Sequence, residues 1–158
     1  MGEHWKPWTR RDALKAAGAV TLAGWALSPA AALATPDEAK AVLDRLTGGA
    51  SMKEGRITVK LPAIAEDGSS VPITVTVASP MSEADHVKAI HIVSEENPNA
   101  EVASFHFSPR SGKAEVATRI RLAKTQTVLA VAVMNDGSIY IARTPVTVTV
   151  GGCGNQDG

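Results

Sequence analysis

The only cysteine of this sequence, Cys153, is the residue best suited to covalent chemistry. Gly151 and Gly152 precede it, and Gly154 follows it. An odd cysteine in an exported protein is a buried and inert side chain, one half of a disulfide to another chain, or an accessible and reactive thiol. Cysteines that fill cores lie in apolar runs, whereas this one stands among glycines near the chain end. The pattern favours an accessible thiol that holds a substrate covalently.

The flanking glycines give the backbone many conformations and add no side-chain bulk beside the sulfur. We therefore interpret residues 151–158 as a flexible carrier arm with Gly151, Gly152 and Gly154 as its mobile positions, and we expect ordered structure to end near Val150. Three extended residues beyond Val150 span about 10 Å. That length is enough for the thiol to enter a narrow channel of another protein.

Activation of this thiol has no evident source in the neighbouring sequence. The thiolate is the nucleophile, and nearby cations stabilise it. The stretch from Thr144 to Gly158 contains no Lys, Arg or His. We therefore expect no catalytic site in this chain and expect partner enzymes to supply the chemistry.

The histidines after the N-terminal segment, His86, His91 and His106, lack the close spacing of metal ligands. We interpret them as polar residues on half-exposed strands and predict no metal site and no cofactor. Gly-x-Ser-x-Gly and Cys-x-x-Cys motifs are both absent, so a hydrolase and an autonomous disulfide oxidoreductase lack support.

Residues 1–34 have the pattern of a twin-arginine signal peptide. Arg10 and Arg11 precede a short apolar stretch, and Ala32-Leu33-Ala34 forms an Ala-x-Ala cleavage pattern. The apolar run is shorter than the roughly 20 residues that span a bilayer. We therefore expect export through the twin-arginine pathway to the periplasm. This pathway carries folded proteins, so a partner without its own signal could be exported with this chain.

Composition and charge exclude some classes of partner. The 158 residues fit one domain, and a hydrophobic fraction of 44% is enough for a core. The formal net charge is zero, and the part after the signal segment has no basic run. Because nucleic acids and anionic membranes bind clusters of positive charge, we expect neither as a partner.

The periodicity predicts one helix followed by a β-sandwich. Residues 35–49 have a helix start at Thr35 and Pro36 and an apolar stripe at helical spacing. Residues 50–150 alternate with period two and contain frequent turn signals, which is typical of an antiparallel β-sandwich. The predicted strands are Ile57–Leu61, Val71–Ala78, His86–Ser94, Val102–Phe107, Ala114–Leu122, Thr127–Met134, Ser138–Ala142 and Val146–Val150, with a turn over 66–70.

Several stretches together resemble the SoxY family, the sulfur-carrier subunits of bacterial thiosulfate-oxidising (Sox) systems. They are Gly55-Arg56-Ile57, Ile64-Ala65-Glu66-Asp67-Gly68, Val71-Pro72, Glu96-Asn97-Pro98, Thr118-Arg119-Ile120-Arg121-Leu122-Ala123, Thr125-Gln126, Asp136-Gly137-Ser138 and Gly151-Gly152-Cys153-Gly154. The last is the most specific, because its position at the chain end fits its use.

This resemblance implies an immunoglobulin-like sandwich that pairs with a SoxZ subunit in the periplasm. It also implies that Cys153 carries sulfur intermediates: a haem enzyme conjugates thiosulfate to the cysteine, a hydrolase releases sulfate, and a sulfane dehydrogenase oxidises the remaining sulfur. The sequence departs from the family ending Gly-Gly-Cys-Gly-Gly at Asn155 and adds Gln156 to Gly158. The branched side chain of Asn155 thickens the arm two residues beyond the sulfur.

Two other functions remain open from the residues alone. The chain could be a structural β-sandwich module that Cys153 links to another chain by a disulfide. It could also be a small exported metal or redox protein that uses the histidines.

Overall fold

The computed structural model describes residues 36–152, which form an all-β domain with one α-helix. The predicted signal segment and Thr35 lie outside the described residues. Helix α1 spans Pro36–Thr47. The strands of the described part are β1 Met52–Lys53, β2 Ile57–Lys60, β3 Ile64–Asp67, β4 Val71–Val77, β5 Val87–Ser94, β6 Glu101–His106, β7 Glu115–Ile120, β8 Gln126–Met134 and β9 Ile139–Val150. One 3-10 turn, Pro109–Ser111, lies between β6 and β7.

The strands form the two sheets of an immunoglobulin-like sandwich, as predicted. The larger sheet has the order β1-β9-β8-β5-β6, with β3 also paired to β9, and the smaller sheet has the order β2-β4-β7. Most neighbours are antiparallel, but β1 and β3 run parallel to β9. The predicted antiparallel sandwich is confirmed, and the two short strands β1 and β3 add parallel pairs at its edge. Parallel neighbours are far apart in sequence, so local alternation of residues does not reveal them.

The core lies between the two sheets. On β4, the side chains of Ile73, Val75 and Val77 point inward and are almost fully buried, while Pro72 is exposed. They pack against the inward face of the larger sheet, which includes Ile92 of β5. This alternation is the one that the sequence predicted for the strand.

Helix α1 covers part of the outer face of the larger sheet. Ala39 and Leu43 of the helix are buried against Val93, Leu129 and Val131. Because the helix covers one face and the sandwich core the other, β5 and β8 are buried along nearly their whole length. The described helices include none long and apolar enough to cross a membrane.

The largest differences from the predicted strands are at β3 and β9. Residues 64–67 form β3, although a turn was predicted from residue 66, and β9 is one continuous strand where two were predicted. Pro145 caused the second error, since proline usually interrupts a strand. The Thr147 N–H bonds Ala63 on the β3 side of β9, so the nitrogen of Pro145, two residues earlier, faces the same side. Pro145 lies between the part of β9 that pairs with β1 and the part that pairs with β3. No neighbouring strand among the described residues needs a hydrogen-bond donor at this position.

Candidate functional site

The predicted carrier arm begins where β9 ends. Gly151 and Gly152 are described, whereas Cys153 and Gly154 lie outside the described residues. The local geometry of the site is therefore the geometry of the arm's root. It is formed by Gly151, Gly152 and the two chain segments that contact them.

Three backbone hydrogen bonds join these segments. The N–H of Gly68 donates to the carbonyl of Val150 at 2.7 Å, and the N–H of Leu122 donates to the carbonyl of Gly68 at 2.8 Å. The N–H of Gly152 then donates to the carbonyl of Leu122 at 2.8 Å. The end of β9, the turn after β3 and the segment after β7 are thus connected in a closed circuit of main-chain bonds.

Glycine is required here because the backbones approach very closely. A Cβ atom on Gly68 would lie 2.8 Å from the nitrogen of Gly152 and nearer still to the carbonyl oxygen of Leu122. A Cβ on Gly152 would overlap the backbone of Gly68, and one on Gly151 would overlap the carbonyl oxygen of Ala123. Gly68, Gly151 and Gly152 together leave the space that these contacts occupy.

Of the predicted flexible arm, residues 151–158, the structure describes only Gly151 and Gly152, and the flexibility of the arm stays a prediction. Gly152 donates a hydrogen bond to the sandwich, so the chain is anchored up to the residue before Cys153. A single net backbone hydrogen bond contributes only about 1 kcal/mol. This bond is therefore only one part of what holds the root of the arm, together with the close backbone contacts of Gly151 and Gly152.

Asn97, which sequence analysis treated only as a chain breaker, supports the segment on which Gly152 lies. Its side-chain amide donates to the carbonyl of Arg121 at 2.8 Å and accepts from the N–H of Ala123 at 2.9 Å. Its Oδ1 atom also accepts from the amide of Gln126 at 2.9 Å. Both Asn97 and Gln126 are buried. The resemblance of Glu96-Asn97-Pro98 to the SoxY family was the signal that could have marked this residue.

The charged group adjacent to Gly68 in the chain is a carboxylate. Hydrogen bonds from the backbone N–H and the side chain of Ser69 hold the pKa of Asp67 below its usual value. The distance from Asp67 Oδ1 to the Ser69 nitrogen is 2.7 Å. The Asp67 carboxylate is therefore held in the turn that contains Gly68.

The predicted histidines have structural partners. His91 is buried, contrary to the expectation of a half-exposed position, and its Nδ1 lies 2.7 Å from the hydroxyl of Ser104. That hydroxyl donates to Glu101 at 2.9 Å, so it accepts from the His91 N–H. Arg45 of helix α1 donates to the same carboxylate at 2.6 Å. The chain of contacts ties the helix to strands β5 and β6.

No metal centre is formed by these side chains within residues 36–152. His91 and His106 make an edge-to-face contact with their ring centroids 6.3 Å apart. Among the described residues, no three potential ligands of the His, Cys, Asp or Glu type come close enough to hold an ion. The histidines of this part of the chain are explained by packing and hydrogen bonding.

Replacing Asn97 should weaken the support of the arm's root. In Asn97→Ala, the N–H of Ala123 and the amide of Gln126 lose their acceptor, and the carbonyl of Arg121 loses its donor. Unsatisfied buried groups of this kind cost about 2–3 kcal/mol in the free energy of unfolding. Urea denaturation measures the loss. The matched control is Asn99→Ala in the same loop, where the side chain is exposed and the change should stay below about 0.5 kcal/mol. Equal losses of unfolding free energy in Asn97→Ala and Asn99→Ala would contradict the supporting role of Asn97.

His91 should make stability depend on pH between about 5 and 7.5. Burial lowers its pKa below the ordinary 6.5, opposed by Glu101 and aided by His106. The unfolded chain therefore binds the proton more readily, and the free energy of unfolding should fall as the pH drops below about 6.5. In His91→Gln this decrease should be smaller. Urea titrations of the wild type and His91→Gln at about pH 5 and about pH 7.5 test this prediction. An equal decrease in the free energy of unfolding in both proteins would refute the role of His91.

The chain is similar to known proteins in both sequence and fold. The family model for sulfur oxidation protein SoxY matches residues 43–153. The solved structure of the sulfur carrier protein SoxY from Chlorobium limicola f thiosulfatophilum is 34% identical, with a TM-score of 0.60 over 70% of this chain and 96% of that one. A comparison with curated protein sequences gave no match.

Two superoxide reductases share only the fold. The neelaredoxin from Ignicoccus hospitalis is 17% identical, with a TM-score of 0.55 over 73% of this chain and 94% of that one. The enzyme from Nanoarchaeum equitans is 11% identical, with a TM-score of 0.51 over 61% of this chain and 100% of that one. The SoxY match, in contrast, combines sequence identity, coverage and a family model that extends to Cys153. The chain belongs to the SoxY family of sulfur oxidation proteins.

Proposed function

We propose that this protein is a periplasmic sulfur carrier that holds thiosulfate-derived intermediates covalently on Cys153 and presents them to partner enzymes. The observation that carries the proposal is the family match, which extends through the arm's root to Cys153. The likeness to a solved SoxY sulfur carrier supports the same role. Cys153 is one peptide beyond the anchored Gly152, and its Cα is therefore about 3.8 Å from that of Gly152.

The chemistry on the cysteine would be a series of steps on one sulfur atom. Thiosulfate joins the thiolate through a new S–S bond, and the two electrons released pass to a haem enzyme. Water then cleaves the sulfonate group, which leaves as sulfate with two protons, and a persulfide remains on Cys153. A sulfane dehydrogenase then takes six electrons from this outer sulfur while three water molecules supply its oxygen atoms and release six protons. Hydrolysis of the resulting S-sulfonate releases sulfate and restores the thiol of Cys153.

The chain's own contribution is to hold and to present. The carboxylate of Asp67 adjoins Gly68, and the contacts with Gly151 and Gly152 are made by main-chain atoms. These main-chain contacts hold the root of the arm. The catalytic groups belong to the visiting enzymes, and a SoxZ subunit is the expected permanent partner.

Intact-mass analysis tests the covalent role. Protein purified under non-reducing conditions from thiosulfate-grown cells should carry a mass increase of one thiosulfate-derived unit or of single sulfur atoms on the peptide with Cys153. Reductant should remove the increase, because each adduct is joined through an S–S bond. In Cys153→Ser the increase and thiosulfate-dependent growth should both be lost.

Two results would contradict the carrier. One is an unmodified thiol in the wild type together with normal thiosulfate oxidation by Cys153→Ser. The other is a stable disulfide-linked dimer as the working form, which would favour a structural module. Co-purification of a second small subunit would support the SoxZ pairing.

Export to the periplasm is supported by the Arg10-Arg11 pair and the Ala32-Leu33-Ala34 site. In the double variant Arg10→Lys and Arg11→Lys the charge is kept but the pair is lost, so the precursor should accumulate in the cytoplasm. The control Lys15→Arg should be exported and processed normally. Cell fractionation with N-terminal sequencing measures both, and a mature protein starting at Thr35 is expected. Unchanged export of the double variant would exclude the twin-arginine route.

A further inference from the structure

Strand β6 has a free edge within the described part of the chain. It is the last strand of the larger sheet, and among the described strands it pairs only with β5. The N–H of Phe107 donates to the carbonyl of Lys88, so these two residues are a hydrogen-bonded pair of the ladder. Because such pairs alternate with non-hydrogen-bonded pairs, Ser104 and His106 direct their backbone N–H and C=O groups away from β5. No described strand lies on that side.

The edge of β6 lacks the charged side chains that usually protect an outer strand from pairing. Residues 102–105 are uncharged and half-buried. The outer strands of the smaller sheet differ, because Lys60 is exposed on β2 and Glu115 and Arg119 are exposed on β7. An unpaired edge without charges is the part of a sheet that accepts a further strand.

A groove on the outer face of the larger sheet adjoins the end of β6. It has a volume of about 600 Å³, and the apolar side chains of Ala89 and Val133 form part of its wall. Its charged and imidazole-bearing residues are Arg45, His86, Lys88, His91 and His106. None of the described residues that line it is an aspartate or a glutamate. The groove therefore favours a ligand with a negative charge.

Three cations near β6 have no carboxylate partner among residues 36–152. They are Lys88 in this groove and Arg119 and Arg121, which line a cavity of about 380 Å³ at the start of β6. The carboxylate of β6 itself, Glu101, is bonded to Arg45 at 2.6 Å. The surroundings of the β6 edge thus carry an excess of positive charge. Complementary charge across an interface determines which partners bind.

We propose that the edge of β6 is a docking site for an extended acidic segment of a partner protein. The segment would add to the larger sheet as a further strand, with backbone hydrogen bonds to Ser104 and His106. Because side chains alternate along a strand, carboxylates on one face would meet Lys88, and apolar side chains on the other face would meet Val102. Strand β6 is three strands away from β9, so the added strand leaves the root of the arm uncovered.

A second copy of this chain fits the same edge less well. Pairing β6 with another β6 would bring together two sets of the unpaired cations Lys88, Arg119 and Arg121, and like charges disfavour such an interface. The carboxylate on β6 does not compensate, because Glu101 is already paired with Arg45. Charge complementarity therefore selects an acidic partner over the protein itself.

Two synthetic peptides and the purified full chain test the proposal by NMR. In one octapeptide glutamate alternates with valine, and in the other lysine replaces each glutamate. The glutamate peptide should bind, and the amides of Ser104 and His106 should become protected from exchange with solvent. The amide of Phe105, which already faces β5, should keep its protection. The lysine peptide should bind about tenfold more weakly or not at all, because like charges repel.

Variants of the edge and of the groove separate the two contributions to binding. Ser104→Pro removes the N–H that faces the free edge and leaves the ladder with β5 in place, so the glutamate peptide should bind about tenfold more weakly. The matched control Ser104→Ala also lacks the hydroxyl but keeps the N–H, and it should bind as the wild type does. Lys88→Glu should weaken binding of the glutamate peptide about tenfold and strengthen binding of the lysine peptide. Lys88 is exposed, so this variant carries the test if Ser104→Pro does not fold.

Several results would overturn the docking site. They are equal binding of the two peptides, no binding of either, and unchanged binding in folded Ser104→Pro or in Lys88→Glu. Protection of the Ser104 and His106 amides before any peptide is added would show that the edge is already covered. A wild-type dimer that Ser104→Pro abolishes would identify a second copy as the occupant. None of these measurements involves sulfur on Cys153, so the docking site and the carrier function stand or fall separately.

Discussion

Strand β9 connects the fold to the arm. Over twelve residues it pairs with β8 along one side and with β1 and β3 along the other. Its last residue, Val150, then accepts a hydrogen bond from Gly68. The strand therefore forms backbone hydrogen bonds with β8, β1 and β3, and it ends at a position that these three partners fix. The geometry of the sandwich and the origin of the carrier arm are consequences of this single strand.

The root of the predicted arm is held by main-chain atoms. Gly68, Gly151 and Gly152 remove side chains from the contact, and the buried amide of Asn97 fixes the segment that receives them. A contact of this kind gives the chain a defined position at Gly152, the residue before Cys153.

The tertiary contacts of His91 decide between the interpretations that its sequence position left open. His91 was a candidate ligand or a half-exposed polar side chain from the sequence. In the fold it is buried beside Ser104, which bonds Glu101, which in turn pairs with Arg45 of the helix. The helix and the sheet are thus joined by polar contacts as well as by the apolar cluster around Leu43.

The sequence by itself was enough to predict an all-β sandwich after one helix, because alternation with period two and turn residues are local signals. It also predicted Cys153 and its glycines as the functional site, from their residue types and order, and this stays a prediction. The parallel pairing of β1 and β3, the continuity of β9 through Pro145 and the burial of Asn97 and His91 were decided only by the tertiary structure. Each depends on contacts between residues far apart in the chain. Gly68 is the clearest case, because a glycine that reads as a turn residue is required by the backbone of Gly152, which only folding brings beside it.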